Sequence, residues 1–224
     1  MQNYTFTAGI YFKQRIILRH RPNARTIHEK AELTEIVSPL LNDPNFELLS
    51  GTARTFYNLA LGDYWEAMGL PEKALPYYNT FVHEEVLDLP IGPFDSLHLA
   101  KFTNAMFFRL RNNITEGLAD IIHSLRKRVG VISLTGSLPT IQVWRYERWI
   151  VFSVLLMNCE GRERDARALL SSEQRTLNRV RPQMSKKIAL QLQIAQIRTL
   201  YGVGETHEAA DIAEEIINNE DTNA

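Results

Sequence analysis

The residues of this chain with the types to do chemistry are six histidines, one cysteine and a few acidic pairs. A zinc site needs three or four His, Cys or carboxylate ligands at helical or loop spacing. His20, His28, His83, His98, His123 and His207 are scattered, and His83-Glu84-Glu85 has no second histidine one turn further on. Each histidine is therefore read as a surface or half-buried structural residue. Cys159 falls at a helix end beside Glu160, whose charge raises a thiol pKa and so suppresses the nucleophilic thiolate. Gly130, Gly136 and the Gly202/Gly204 pair lack the Lys-Ser/Thr or strand context of a phosphate loop. Glu84/Glu85 and Glu214/Glu215 are sequence neighbours, so each pair points to two helix faces and cannot work as a carboxylate dyad. The expectation is a protein that is not an enzyme, with no catalytic residue, no metal and no cofactor.

Bulk composition narrows the class further. With 224 residues and 45% hydrophobic content, the chain can bury a core as one domain over 1–224. A net charge of -1 argues against a dedicated nucleic-acid binder. A single cysteine permits no internal disulfide and points to a reducing compartment. No apolar run approaches the roughly 20 residues that span a bilayer, and Met1 to Ile10 lacks the basic-then-apolar order of a signal peptide. The expected location is the cytoplasm.

Helical periodicity runs through the chain. Ile10, Ile17 and Leu18 mark a first helix, ended by Arg21-Pro22-Asn23, and Ala31 to Leu41 a second, stopped by Asn42-Asp43-Pro44. A third runs from Thr52 to Met68. A fourth starts at Pro71, a residue suited to a first helical turn, and continues through Leu87. Leu89 to Pro93 is a loop. The next helix, capped by Asp95 or Ser96, reaches Arg111, and after the Asn112-Asn113 turn Thr115 and Glu116 open a helix to Arg128. Val129 to Trp144 is ambiguous: Val129, Val131, Ile132, Leu134 and Thr135 look strand-like, while Gly136 and Pro139 forbid a helix. It is read as a long, partly extended connection. Helices then follow over Thr140–Asn158, Arg164–Val180, Ser185–Tyr201 and Glu205–Asn218.

Aligning the turns exposes a repeat. Gly69, Asn112, Gly161 and Gly204 take equivalent places. Each is preceded by a compact residue and, three positions later, a bulky one: Gly62/Trp65, Ala105/Phe108, Val154/Met157 and Ile197/Leu200. Five residues after each turn stands Ala74, Gly117, Ala166 or Ala209. Close helix crossing requires a small residue where backbones meet and a large one to fill the gap beside it. A lone hairpin leaves an apolar face exposed, so the pairs must stack.

Leu61-Gly62, Trp65, Gly69, Ala74 and Tyr78 resemble the tetratricopeptide repeat, which has a Leu-Gly, an aromatic three residues later, a turn glycine, and a small residue then an aromatic in the second helix. The spacing here exceeds the standard 34 residues, so the resemblance is to divergent members. Phe56-Tyr57-Asn58 and Ala74-Leu75-Pro76-Tyr77-Tyr78 are also similar to a group of bacterial tetratricopeptide-like proteins, in which further helices often follow the last matching hairpin. The resemblance implies an all-α fold, a right-handed superhelix of about five hairpins that could be a fragment of a longer array, and no activity.

In such an array the first helices of successive hairpins line a concave face. Matching turn to turn puts Asp63 and Glu66, then Met106 and Arg109, then Arg148, Leu155 and Asn158, then Arg198 and Tyr201 on that face. Arginine grips carboxylates with paired hydrogen bonds, and Asn can bond an extended backbone through both amide atoms. Asp63, Glu66, Arg109, Arg148, Asn158 and Arg198 are thus the expected partner-binding residues, in a groove with an acidic end and an arginine-rich end. The simpler alternative is that Asp63 and Glu66 pair with Arg109. Charge is also segregated: Arg162 to Lys187 holds eight basic residues, and the stretch from Glu205 onward holds seven acidic ones and no Lys or Arg. Solvated faces, with the acidic last helix paired to the basic one before it, account for this. The expected function is a protein- or peptide-binding scaffold, with no nucleic-acid or membrane partner. A ligand- or peptide-sensing regulatory module and a structural homo-oligomerisation unit are the alternatives.

Overall fold

The computed structural model describes residues 27–41, 51–88, 95–132 and 135–221, and every regular element among them is helical. Nine α-helices follow in order: α1 (Ile27–Leu41), α2 (Gly51–Ala67), α3 (Pro71–Asn79), α4 (Asp95–Arg111), α5 (Leu118–Val129), α6 (Thr140–Cys159), α7 (Glu163–Val180), α8 (Lys186–Val203) and α9 (Thr206–Asp221). Short 3-10 turns occupy Glu84–Asp88 and Arg181–Gln183. No helix among the described residues is long and apolar enough to cross a membrane. The expected helix over Ile10 to Leu18, the Asn42-Asp43-Pro44 stop and the Leu89–Pro93 loop lie outside the described residues.

Contacts divide the chain into two compact units, Met1–His83 and Glu84–Ala224. In the first, α1 and α3 both pack on α2 around Leu33, Val37, Tyr57, Leu61 and Tyr64. The close crossing expected at Gly62 is present: a β-carbon added there would stand 3.2 Å from the Tyr78 ring of α3, so the glycine leaves room for that ring against α2. In the second unit the first helix of each hairpin packs on the first helix of the next, α4 on α6 and α6 on α8. The second helices α5 and α7 pack on the following first helices, α6 and α8, while α7 also packs on α6 and α9 on α8. Phe102 and Phe107 of α4 meet Phe152 of α6 edge-on, at 6.2 and 5.2 Å between ring centres.

Several element limits differ from the sequence reading, each for a local reason. The helix expected to run through Leu87 stops at Asn79, because the Thr80 hydroxyl takes the Tyr77 carbonyl at 2.7 Å and the Phe81 N–H turns back to Tyr78. The helix expected from Thr115 begins at Leu118, because Gly117 is left-handed at φ 69° and interrupts the first turn. Val129 ends α5 rather than opening a strand, and Val131 is 92% exposed with its carbonyl accepting from the Gln142 amide.

The four hairpin turns close in the same way. The last residue before each connection is left-handed, and the N–H after it reaches back to the carbonyl five residues earlier: Leu70 to Trp65, Ile114 to Arg109, Arg162 to Met157 and Glu205 to Leu200, all at 2.8–2.9 Å. The left-handed residues are Gly69, Gly161, Gly204 and, in the α4–α5 hairpin, Asn113 at φ 57°. The turn position therefore belongs to Asn113, not to Asn112, whose side-chain amide instead bonds the Phe108 carbonyl at 2.9 Å. That one-residue slip changes which residues correspond. The bulky position four before the turn is held by Trp65, Arg109, Met157 and Leu200, and the buried position five after it by Ala74, Leu118, Ala166 and Ala209.

Candidate interaction surface

The slip at Asn113 moves Arg109 out of line with Glu66, Asn158 and Tyr201. Six before the turn stand Asp63, Phe107, Leu155 and Arg198, and three before it Glu66, Leu110, Asn158 and Tyr201. Arg109 instead folds over its own turn, where its Nη2 donates to the Glu116 carbonyl, and burial pushes its pKa below the usual guanidinium range.

Asp63 and Glu66 converge on one hydroxyl. The buried Tyr78 Oη lies 2.6 Å from Asp63 Oδ1 and 2.9 Å from Glu66 Oε2 and can donate its single proton to one carboxylate at a time. Burial, then the two negative charges, push the phenol far above its ordinary pKa. This pair anchors the ring that fills the Gly62 notch.

Arg148 is buried between α4 and α6. Its Nε donates to Thr103 Oγ1 at 2.8 Å, its Nη1 to Glu147 Oε1, and the guanidinium lies 4.3 Å over the Trp144 ring. The other Glu147 oxygen accepts the Ser185 N–H at 3.0 Å, so the carboxylate also satisfies the start of α8. Burial raises the Glu147 pKa against the pull of Arg148, and lowers Arg148 to about 10. Asn158 is likewise interior: its Nδ2 donates to the Ala195 carbonyl and its Oδ1 accepts from Thr199 Oγ1, both at 3.0 Å, joining α6 to α8.

Of the six residues singled out from sequence, Arg198 is the exposed one, and it meets Asn158 through a 3.4 Å bond from Nη2 to the Asn158 carbonyl. The adjacent Cys159 thiol donates to the Leu110 carbonyl at 3.3 Å, and burial outweighs nearby Arg198 in raising its pKa. The ends of α4, α6 and α8 are thus laid side by side.

A recess opens on the other side of α8, between α7 and α9. Its main cavity, about 280 Å³, is floored by Gln193, Gln196 and Leu200 of α8, walled by Leu170 and Gln174 of α7 and by Ile212 and Glu215 of α9, and overlooked by Arg181. A smaller cavity of about 110 Å³ continues from it past Arg181, Gln193 and Glu215 to Met184 and Ala189. At one end Arg167 of α7 binds Glu205 at 2.9 Å and Glu208 of α9 at 3.1 Å, making the expected pairing of the basic and acidic helices at that point. At the other end Arg181 and Glu215 face one cavity without forming an ion pair, and no hydrogen bond within the described residues uses the Gln193 or Gln196 amides.

The sequence signal for this recess was present in part. Gln193, Gln196 and Leu200 recur at three- and four-residue intervals on the side of α8 opposite Arg198. What spacing alone leaves open is that a cavity lies between α7 and α9 beyond the Arg167 ion pairs. The chain matches no protein-family model, no curated protein and no solved structure.

Proposed function

We propose that this protein is a tetratricopeptide-like scaffold of stacked helical hairpins that binds a short peptide segment in the recess between α7 and α9. The packing of α4 on α6 and α6 on α8, with α5 and α7 each lodged against the next first helix, supports the reading of a right-handed stack. The observation that carries the binding reading is the set of polar groups around the recess that nothing within the described residues engages: Arg181, Gln193, Gln196 and Glu215. An extended peptide needs a donor and an acceptor for its backbone, which each Gln amide supplies together. Arg181 suits a carboxylate and Glu215 a cationic side chain or amino group, so the favoured ligand carries both. The two adjoining cavities, about 280 and 110 Å³, have room for one or two residues of a longer chain.

The test is a peptide-library selection followed by fluorescence anisotropy on the full chain. Arg181→Ala and Gln193→Ala should each weaken the selected peptide about tenfold or more, and Arg198→Ala, on the opposite side of α8, should leave binding within twofold or so. Peptides whose affinity ignored Arg181 and Gln193 but fell with Arg198→Ala would move the site to the other face and defeat this reading.

A further inference from the structure

Repetition tells which side of a hairpin the next one covers. In α6 that side carries Glu147, Val151, Val154 and Asn158, all buried, with Glu147 and Asn158 bonded directly to α8. In α4 the corresponding residues are Leu99, Thr103, Met106 and Leu110, also buried, with Thr103 bonded to Arg148 and Leu110 to Cys159 of α6. Moved by the same register to α8, the positions are Leu190, Ile194, Ile197 and Tyr201. Here the pattern breaks: Ile194 is 46% and Tyr201 72% exposed. The second helix agrees. Gln174 of α7 lines the recess bounded by the following hairpin, and its counterpart on α9 is Ile217, 60% exposed. Large exposed apolar residues are costly to leave in water and mark contact surfaces when they cluster. Ile194, Tyr201 and Ile217 all belong to this one hairpin side.

Charge identifies the occupant. Every charged residue of α8 is basic and, His207 aside, every charged residue of α9 is acidic. Counting 100° per residue, Arg198 borders the α8 end of the open side, and Glu214 borders its far α9 end. A uniformly acidic partner would suit the first edge and be repelled at the second, and a basic partner the reverse. A second copy rotated by a two-fold axis parallel to the helices sets α8 over α9 and α9 over α8, so each basic edge meets an acidic one and the apolar residues cover each other.

We propose that the open side of the α8–α9 hairpin is a homodimer interface, formed by Ile194, Ile197, Tyr201 and Ile217 and keyed by Arg198 of one protomer against Glu214 of its partner. The face is separate from the α7–α9 recess, so the dimer stands or falls independently of peptide binding. Sedimentation equilibrium and light scattering on the full chain test it. The unaltered protein should dissociate from dimer to monomer on dilution, and Ile194→Glu or Tyr201→Glu should sediment as a monomer with an unchanged circular dichroism spectrum. Arg198→Glu and Glu214→Arg should each weaken the dimer about tenfold or more through like-charge contact, and combining them should restore it. A monomer at every concentration would overturn the proposal and leave the face to an unlike partner or to a further hairpin of a longer chain. A dimer indifferent to Ile194→Glu, or a double charge reversal with no recovery, would overturn it equally.

Discussion

Helices α6 and α8 occupy the same place in consecutive hairpins, yet they invest their polar groups oppositely. On α6, Glu147, Arg148 and Asn158 are buried and each is bonded across a helix boundary. On α8 the matching positions are Leu190, Gln191 and Tyr201, and Tyr201 is largely exposed. A repeat in the interior must satisfy every buried polar group, because an unpaired one costs on the order of 1–3 kcal/mol. A hairpin with an open side is released from that demand and can carry apolar residues there instead. Residue type therefore misleads about role in such an arrangement: the arginine on α6 holds the fold, whereas the exposed aromatic on α8 is free to meet a partner.

The strongest way to break this contrast is to remove one half of the buried pair. Arg148→Met should strand Glu147 between α6 and the start of α8, and loss of a partner from a buried ion pair costs about 3–5 kcal/mol. Urea denaturation monitored by circular dichroism reads the change. Gln191→Met, at the position matching Arg148, should stay within roughly 0.5 kcal/mol of the unaltered protein. Similar losses for the two variants would show that the α8 side is as enclosed as the α6 side, and the contrast would fail.

A smaller effect is expected three residues before the turns. Asn158→Ala removes two buried hydrogen bonds, to the Ala195 carbonyl and from Thr199, which keep their bond to each other, at a cost of about 0.5–1.5 kcal/mol each. The matching Tyr201→Ala should change monomer stability by less than roughly 0.5 kcal/mol while lowering self-association. Thermal unfolding at low protein concentration separates the two quantities. If Tyr201→Ala destabilised the monomer as much as Asn158→Ala, its ring would be part of the fold.

Much of the helix content was legible from sequence because apolar periodicity and the turn glycines act locally. Gly69, Gly161 and Gly204 fix three hairpin ends through a conformation that glycine adopts without a steric penalty. Asn112-Asn113 offered two candidates of one residue type, and nothing local to the pair distinguishes them. The choice rests on which N–H reaches Arg109 and Leu110. A shift of one there rotates every assignment on α4 by 100°, which is why the sequence sets Arg109 in the row of Glu66, Asn158 and Tyr201. The fates of Asp63, Glu66, Arg148 and Asn158 were illegible for another reason. Their partners Tyr78, Thr103, Ser185 and Ala195 are set by tertiary packing, and the bonds to Thr103, Ser185 and Ala195 span 37 to 45 residues of sequence.

The smallest effect tests that register directly. Asn113 holds φ 57° as a residue with a β-carbon, a conformation that costs roughly 1 kcal/mol or more for most non-glycine residues and less for Asn. Asn113→Gly should therefore stabilise the protein by a few tenths to about 1 kcal/mol, making the α4–α5 turn like its three counterparts. Asn112→Gly should do the reverse, because Asn112 is followed by the left-handed residue instead of being it, and its amide bond to the Phe108 carbonyl would be lost. Melting temperatures of the two variants decide the matter. A gain at 112 and a loss at 113 would return the turn to Asn112 and put Arg109 back in line with Asn158 and Tyr201. It would also undo the correspondence between the covered positions of α4 and those of α6, so the interface assigned to α8 would then rest on the α6 comparison alone.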